Sequence, residues 1–578
     1  MSGSFSIGRS GLAASQLGMN ITGNNIANAN TPGFSRQRVD LAPSANQIQG
    51  RLRIGSGVDV QGIRRLTDQA LQQRLLASTS AESAASTNSS LLGGMEDIAG
   101  KLDAQGRLEL NNQVNAFFDA WSSLGSNNPT TTRSTVVARG SALASYLRTL
   151  RGQINSQTGT IDAQLSAAAS STDSLLREVA RLNTQIVNAG SSAAASLQDQ
   201  RDGVLAKLAN LVDITTAPQD NGTVNVYVGS TMLVDAGTYR GVKIDTRTVG
   251  TEQVVVLATA DNGEVIGAKG GRVGALLQQR GTSVQDALGR LDRLASELIH
   301  EVNRVYSQGS ALTAVRSYTG ATRVVAPDRP LAFNDPTNAT FAALTHRPTS
   351  GAITLRVASD STGTFNDVNI PIDLNGLTSA GAPGFADDTS LDDLAAAINA
   401  LPNLSATITP EGQLRINAAA GHTLSIVSDT SGVLTSLGIN TYFAGNDATD
   451  IAVRGDLDAD ASTLSVRAIV GGIPTDNGVS NAIVGLRTKA IANLQGNTLL
   501  GDWSAYVQDL GVQVATAETA SDTANAVTEN LTSQLNAVSG VSLDEEAINL
   551  VLFQTQYQAS ARYISVLQQM TDTLMRMV

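Results

Sequence analysis

The chain has 578 residues with 39 Lys and Arg against 51 Asp and Glu, a formal net charge of −12, and its length predicts roughly three to four domains. The acidic balance argues against nucleic acid as the main partner, because phosphate binding needs a basic face. Cysteine is absent and the only histidines are His300, His346 and His422, which excludes disulfides and cysteine chemistry and leaves little for a histidine metal site.

No segment predicts a membrane span or a cleaved signal peptide. The N-terminal sequence MSGSFSIGRSGLAASQLGMN lacks the apolar core of a signal peptide, and no stretch reaches about 18 uninterrupted apolar residues. The residues alone therefore favour a cytoplasmic protein. A chain without cysteine also suits export by a route that needs no cleaved signal, and the sequence pattern leaves both readings open.

The N-terminal segment predicts a helix that packs closely against another helix. Small residues (Gly8, Ser15 and Thr22) occupy one repeating position, and such a heptad favours close helix contact. The helix-breaking sequence Asn-Thr-Pro-Gly at residues 30–33 ends the pattern. Apolar and polar residues then alternate at 39–41 and 54–63, as they do in short strands. Large apolar residues occupy the other repeating position, at Phe5, Leu12, Met19 and Ile26.

The body of the chain predicts long helices interrupted by a β unit. Residues 64–211 have a helical period, and residues 141–188 predict a single helix of roughly 48 residues, about 70 Å at 1.5 Å per residue. Near residue 213 the period changes from about 3.6 to about 2, which predicts strands at 223–228 and at 254–257, the latter of the buried type. One helix is then expected from near residue 274 to 302.

Residues 316–451 predict an inserted α+β domain. Pro, Gly, Asp and Thr become common there. The apolar runs predict strands at 353–357 and 414–416, and residues 391–400 predict a helix between them.

The C-terminal segment predicts a helix whose apolar face continues to the end of the chain. Its face residues are spaced by three and four, which is a heptad pattern without a cap. Such a face needs a partner, and the spacing allows pairing either with the N-terminal helix of the same chain or with neighbouring subunits. The face residues are Leu550, Phe553, Tyr557, Ser560, Ile564, Leu567, Thr571, Leu574 and Val578.

The predicted fold class is mostly α with inserted β-rich or α+β domains. The N- and C-terminal helices pair in a coiled-coil-like fashion, and a long helical bundle forms the body. The predicted domains are a terminal helical assembly domain (1–62 with 536–578), a long-helix bundle (63–212 with 270–315 and 452–535), a small β domain (213–269) and the inserted α+β domain (316–451).

Motifs for catalysis or metal binding are incomplete. The zinc-protease pattern that begins at His300 has Arg304 in place of its second histidine. The Asp456–Asp460 spacing opens like a calcium loop but lacks the turn glycine and the bidentate glutamate. We therefore expect no catalytic residue, no metal and no cofactor. A secreted adhesin or an enzyme carried by residues 316–451 remains an alternative, since carboxylate-only chemistry such as glycoside hydrolysis needs none of these motifs.

Residues 24–36, NNIANANTPGFSR, resemble the N-terminal signature of the bacterial flagellar axial proteins, the family of rod, hook and hook-associated subunits. The C-terminal helix, with Gln554, Tyr557 and Gln558, is similar to the C-terminal helix of that family. Further motifs resemble those of the subunits at the hook–filament junction, at residues 197–202, 221–226, 270–277 and 437–445.

The resemblance implies a structural, non-enzymatic subunit of the bacterial flagellum that forms the junction ring between hook and filament. It implies export as an unfolded chain without a cleaved signal peptide, self-assembly through the terminal helices and a secreted, extracellular location. The implied partners are copies of the chain in a ring, hook subunits on one side, the next hook-associated protein on the other and an export chaperone at the C-terminal region. Neither nucleic acid nor a membrane is implied.

The assembly residues expected from the two terminal segments are Phe5, Leu12, Met19, Ile26, Thr31, Pro32, Gly33, Phe34, Leu550, Phe553, Tyr557, Ile564, Leu567 and Leu574. A bulk hook or filament subunit is the alternative within the same family. The motifs at 197–202 and 270–277 argue against it.

Overall fold

The computed structural model describes residues 2–45, 47–49, 52–102, 107–126, 130–189, 191–250, 252–470 and 472–577. Within these residues 55% of the structure is helical and 19% is strand, which confirms the predicted fold class. The α-helices are α1 (Ser2–Ala27), α2 (Gln69–Ala99), α3 (Glu109–Ser126), α4 (Thr130–Asn188), α5 (Ser191–Leu211), α6 (Gly271–Gly281), α7 (Ser283–Tyr306), α8 (Ala339–Ala342), α9 (Leu391–Asn399), α10 (Val433–Ser436), α11 (Gly455–Ala459), α12 (Gly478–Gly485), α13 (Leu499–Ser539) and α14 (Leu543–Met577).

The strands belong to small sheets, and the paired strands described below are all antiparallel. In chain order they are β1 (Gln37–Pro43), β2 (Gln47–Gln49), β3 (Leu52–Ile54), β4 (Val58–Arg65), β5 (Ile214–Pro218), β6 (Val224–Val228), β7 (Thr231–Asp235), β8 (Thr238–Tyr239), β9 (Val242–Val249), β10 (Glu252–Thr259), β11 (Gly309–Ser310), β12 (Ser317–Thr319), β13 (Gly351–Ser359), β14 (Phe365–Ile372), β15 (Leu404–Ile408), β16 (Leu414–Ala418), β17 (His422–Asp429), β18 (Phe443–Ala444), β19 (Ala452–Val453), β20 (Arg467–Val470) and β21 (Ile473–Thr475).

The chain forms two compact units. Unit 1 consists of residues 1–93, 159–282 and 513–578, and unit 2 of residues 94–158 and 283–512. The predicted small β domain (213–269) lies within unit 1 and the predicted insertion (316–451) within unit 2. The four-domain division with its individual boundaries stays a prediction.

Unit 1 contains the two terminal helices and two β segments. After α1, strand β1 pairs with β4 from Gln37 opposite Arg65 to Pro43 opposite Val58. The small β segment is a four-stranded sheet of order β5-β6-β7-β8, followed by the β9–β10 hairpin. The alternation predicted for 223–228 is confirmed, because Val224, Val226 and Val228 are all buried.

Unit 2 is built around α3, α7 and the first part of α4, with the inserted segment between β12 and β19. The insertion has a sheet of order β14-β13-β17, a second of order β12-β16-β15, and α9. Its apolar core includes Phe333, Phe341, Leu355, Leu394 and Ile426. The strands predicted at 353–357 and 414–416 and the helix at 391–400 are confirmed.

Three sequence expectations differ from the structure. Helix α4 begins at Thr130 instead of Ser141, because Val136 and Val137 are buried and tertiary packing outweighs the low helix propensity of β-branched residues. The helix expected from 274 to 302 is divided into α6 and α7 at Gly281-Thr282, both poor helix formers. Strand β10 is buried only at its C-terminal end, since Val254 is 39% exposed while Leu257 is fully buried.

Candidate assembly site

Helix α1 packs antiparallel on α14 through glycines. A Cβ atom on Gly8 would lie 2.6 Å from Cγ1 of Ile564, and one on Gly11 would lie 2.8 Å from Oγ of Ser560. At these distances a side chain at either glycine would have to displace the α14 side chain that it meets, so the α14 side chains rest on the backbone of α1. Gly8 of the predicted small-residue heptad therefore faces the partner helix, and so does Gly11, which lies outside that heptad.

The predicted large residues of α1 lie beside this contact. Phe5, Leu12, Met19 and Ile26 are each half-buried, whereas Ser15 and Thr22 of the small position are buried. The heptad pattern predicts assembly through the larger residues and does not single out Gly11 and Gly18. Their spacing of seven was the signal that could have found them. The role of the four large residues in assembly stays a prediction.

The predicted face of α14 separates into two groups. Phe553, Ser560, Ile564, Leu567 and Thr571 are half-buried on the side of the helix that carries the α1 contacts. Leu550, Tyr557 and Leu574 are exposed. Val578 lies outside the described residues.

A second apolar face of α14 is open to solvent. Its residues are spaced so that, at 100° per residue, they share one side of the helix that is distinct from the side facing α1. Exposed apolar side chains that share one side of a helix mark an interaction surface. We call these residues the outer stripe: Ile548, Leu552, Val566, Met570 and Met577, with exposed fractions from 50% to 79%.

The signature segment after α1 forms a tight turn. Gly33 has φ of +78°, a left-handed conformation that favours glycine. The Phe34 amide donates to the Thr31 carbonyl at 3.2 Å, and the Thr31 hydroxyl donates to Oδ1 of Asn28 at 3.2 Å. Thr31, Pro32 and Gly33 are exposed and Phe34 is half-buried. The segment thus reverses the chain from α1 into β1.

A buried polar cluster fixes this turn to the start of α14. Asn25 Nδ2 donates to the Gln37 carbonyl at 2.9 Å and to Oε2 of Glu546 at 3.0 Å. Arg36 Nε donates to Oε1 of Glu546 at 2.6 Å, and its Nη1 donates to Glu545 at 2.5 Å. The three residues of this lock cluster, Asn25, Arg36 and Glu546, are nearly inaccessible to solvent. Asn25 and Arg36 both belong to the signature segment, but the sequence alone predicts no role for either residue.

The charge on Arg36 is stabilised by its carboxylate partners. Burial alone lowers the pKa of a guanidinium, but the hydrogen bonds to Glu545 and Glu546 outweigh it and raise the pKa of Arg36 above its ordinary value. A fully charged arginine in a buried site needs such partners, because an unpaired buried charge is strongly unfavourable.

A second ion-pair cluster in unit 1 accounts for the motif at 197–202. Arg65 of β4 binds Asp199 at 3.0 Å and also pairs with Asp202, both on α5. Burial raises the pKa of Asp199, and the Arg65 charge opposes that rise. Arg201 donates to the Gly222 carbonyl at 2.7 Å, which joins the motif at 221–226 to the same cluster. These residues therefore connect the terminal β pair to the helical body.

The other two motifs also have structural roles. In the 270–277 motif, a Cβ on Gly274 would lie 2.5 Å from the backbone of Lys269, so only glycine permits this close turn. In the 437–445 motif, Asn440 Nδ2 donates to the Gly309 carbonyl at 2.8 Å. Tyr442 Oη donates to the Val136 carbonyl at 2.8 Å within an aromatic core that also contains Trp121.

Residues of the incomplete calcium-loop and zinc-protease patterns contact other side chains of the protein. Arg454 binds Asp456 at 2.9 Å at the start of the aspartate series. His300 stacks on His346 at 3.8 Å between ring centroids. No group of three or more His, Asp or Glu side chains could hold a metal ion within the described residues. Across the same ranges, none of the helices is long and apolar enough to cross a membrane.

Three family models match the chain, one at each end and one in the middle. The model described as flagella basal body rod protein matches residues 5–34. The flagellar hook-associated protein FlgK helical domain matches residues 95–318. The flagellar basal body rod FlgEFG protein C-terminal model matches residues 533–577. The two terminal matches cover most of α1 and all of α14, the helices that form the glycine contact.

Curated relatives match the chain along its length. Flagellar hook-associated protein 1 of Escherichia coli K12 is 24% identical over 581 aligned positions, which cover 98% of both chains. The protein of the same name from Bacillus subtilis 168 is 24% identical over 589 positions, covering 98% of this chain and 96% of its own. A solved structure of the flagellar hook junction protein FlgK from Burkholderia pseudomallei is 17% identical, covers 81% of this chain and 100% of its own, and has a TM-score of 0.48.

The paired terminal helices, the signature turn and the two terminal family matches define the chain as a bacterial flagellar axial protein, the class of rod, hook and hook-associated subunits. The central match to the FlgK helical domain and the full-length relatives narrow this class. Along its length the chain is similar to flagellar hook-associated protein 1, and its middle matches the FlgK helical domain. The resemblance identified from the sequence is thereby confirmed.

Proposed function

We propose that this chain is a structural subunit of the flagellum that forms the junction between hook and filament. The observation that carries the proposal is the outer stripe of α14, which remains exposed although α14 is already paired with α1. A helix with one face occupied in its own chain and a second apolar face free is suited to packing against neighbouring subunits. The full-length similarity to hook-associated protein 1 supports the position at the junction.

The proposed neighbours on the outer stripe are copies of the same chain in a ring. Hook subunits lie on one side of the ring and the next hook-associated protein on the other. Burial of apolar surface contributes about 25 cal/mol per Å², so a fully buried Val, Leu, Ile or Met contributes roughly 1.5–3 kcal/mol on assembly. A stripe of such residues therefore supplies the main driving force for the ends to assemble.

Export as an unfolded chain, without a cleaved signal peptide, is part of the proposal. The absence of cysteine means that no disulfide has to form or break during passage. The exposed outer stripe needs protection before assembly, which supports an export chaperone that binds the C-terminal region. The role is structural and extracellular, and we assign no catalytic residue.

Immunogold electron microscopy of intact flagellated cells tests this function. The antibody is raised against residues 316–451, and cells that lack the gene provide the matched control. Gold in a narrow band at the hook–filament boundary is the expected result. Label along a whole hook or filament would assign the chain to a bulk subunit. Labelling elsewhere on the cell surface, with none on flagella, would favour an adhesin or a secreted enzyme.

A further inference from the structure

The glycine contact between α1 and α14 repeats with a period of seven. Gly11 and Gly18 are separated by seven residues, and so are the side chains that meet them, Ser560 and Phe553. A shift of α14 by seven residues, about 10.5 Å at 1.5 Å per residue, would bring Gly18 opposite Ser560 and Gly11 opposite Leu567. In the shifted register each glycine would again face an α14 side chain that could pack on the α1 backbone. The contact alone is therefore compatible with more than one register.

The lock cluster is compatible with only one of these registers. In the observed register Asn25 lies opposite Glu546, with which it forms a 3.0 Å hydrogen bond, while Arg36 binds the same carboxylate at 2.6 Å. The seven-residue shift would replace Glu546 by Phe553 opposite Asn25. Both the amide of Asn25 and the guanidinium of Arg36 would then lose their buried carboxylate.

We propose that Asn25, Arg36 and Glu546 set the register in which α1 pairs with α14. A single polar position in an otherwise repetitive helix contact is an established way to specify register, because every other alignment leaves polar groups unpaired. Register matters for the outer stripe as well, since a seven-residue shift moves its residues by about 10.5 Å relative to α1. The proposal concerns the fold of one chain and does not depend on the position of the chain in the flagellum.

Engineered disulfides measure the register directly, because the chain contains no cysteine of its own. The Cβ of a residue at position 11 would lie 3.6 Å from Cβ of Ser560, within the 3.5–4.5 Å range of disulfides. Gly11→Cys with Ser560→Cys therefore reports the observed register. Gly11→Cys with Leu567→Cys reports the shifted register, since position 567 is one heptad further along α14.

The two cysteine pairs are introduced into full-length chains with three backgrounds. The first background is otherwise unchanged. The second carries Arg36→Met and Glu546→Leu, which remove both buried charges together and leave neither unpaired. The third is a control with Glu545→Gln, a change in the neighbouring carboxylate that also binds Arg36 but is 60% exposed. Disulfide yields are measured after oxidation of the purified chain and of isolated flagella.

The unchanged and Glu545→Gln chains should form the 11–560 disulfide and almost none of the 11–567 disulfide. The Arg36→Met, Glu546→Leu chain should raise the ratio of the 11–567 to the 11–560 disulfide by about tenfold or more. An unchanged ratio would overturn the proposal and assign register to the short 540–542 turn before α14. Loss of both disulfides in this chain alone would also overturn it, because the cluster would then supply stability without choosing a register. These disulfide ratios report the register within one chain, so they stay informative even if immunogold labelling places the chain away from the hook–filament junction.

Discussion

A Cβ atom on Gly18 would lie 2.6 Å from the aromatic ring of Phe553. The ring therefore packs directly on the α1 backbone, closer than any residue other than glycine allows. This contact explains why a residue with poor helix propensity occupies the middle of α1. It also makes Gly18 a sensitive test of whether the terminal helices pair as described.

We predict that Gly18→Ala weakens the α1–α14 pair. The added methyl group requires the Phe553 ring or the α1 backbone to move, and overpacking of this kind costs about 1–3 kcal/mol. Amide hydrogen exchange across residues 2–27 of the full-length chain should accelerate by about fivefold or more.

The matched control for this change is Gly23→Ala. Gly23 is on the same helix, is exposed, and has no atom within 4 Å of a built Cβ. Replacement of glycine by alanine at such a site stabilises a helix by up to about 1 kcal/mol. Exchange across α1 should therefore slow down. Equal effects from the two variants would show that Gly18 does not face Phe553.

The periodicity of the sequence was sufficient to predict both terminal helices and the end of α1. It was not sufficient to identify the face that pairs, because a heptad pattern does not distinguish a close contact of small residues from a conventional apolar one. For α14 the pattern mixed residues that face α1, such as Phe553 and Ile564, with exposed ones such as Tyr557 and Leu574.

The lock cluster could not be predicted from one sequence. Asn25 and Glu546 are separated by 521 residues, and only the fold brings them within 3.0 Å. Glu546 has an ordinary explanation from sequence alone, because acidic residues in the first turn of a helix interact favourably with its dipole. The sequence likewise could not show that Arg65 of β4 meets Asp199 of α5.

Tyr442→Phe should destabilise unit 2. Tyr442 is fully buried, and its hydroxyl donates to the Val136 carbonyl at 2.8 Å. Loss of one such hydrogen bond costs about 0.5–1.5 kcal/mol. Differential scanning calorimetry of the full-length chain should show a lower transition temperature for this unit.

Tyr318→Phe is the matched control for Tyr442→Phe. Tyr318 is also buried in unit 2, but its hydroxyl has no hydrogen-bond partner among the described residues. Removal of an unpaired buried hydroxyl should be neutral or should stabilise the unit by up to about 1 kcal/mol. A loss equal to that of Tyr442→Phe would contradict the assigned hydrogen bond.

The stability of unit 2 should fall between pH 6.5 and 5 because of His300. Burial, followed by the nearby His346, lowers the pKa of His300 to about 4, below its ordinary value of 6.5. In this pH range the unfolded chain binds a proton that the folded chain does not, so acidification favours unfolding. The expected contribution of this histidine is about 1–2 kcal/mol.

Urea unfolding at pH 7.5, 6 and 5 tests this pH dependence. Trp121 and Trp503 are the two tryptophans of the chain and both are buried in unit 2, so tryptophan fluorescence reports this unit. The variant His300→Gln should lose less stability than the unchanged chain from pH 7.5 to 5. Glu297 and Glu301 have lowered pKa values, so their protonation reduces the stability of unit 2 only nearer pH 4.5. Parallel pH profiles for the two chains would exclude His300 as the cause.

Val566→Lys should prevent assembly without unfolding the chain. Val566 lies in the outer stripe and is 52% exposed, so a lysine is tolerated in the free chain. In an assembled ring the lysine would place a charge in an apolar contact, and the burial of Val566 would no longer contribute its roughly 1.5–3 kcal/mol per subunit to assembly. Incorporation into flagella, measured by immunoblot of isolated flagella, should fall by about tenfold or more, and motility should be lost.

The matched control is Gln554→Lys, an exposed polar position of α14 outside the stripe, which should assemble normally. Both variants should keep the fluorescence-monitored unfolding of unit 2 unchanged, and normal incorporation of Val566→Lys would show that the outer stripe is not the assembly surface.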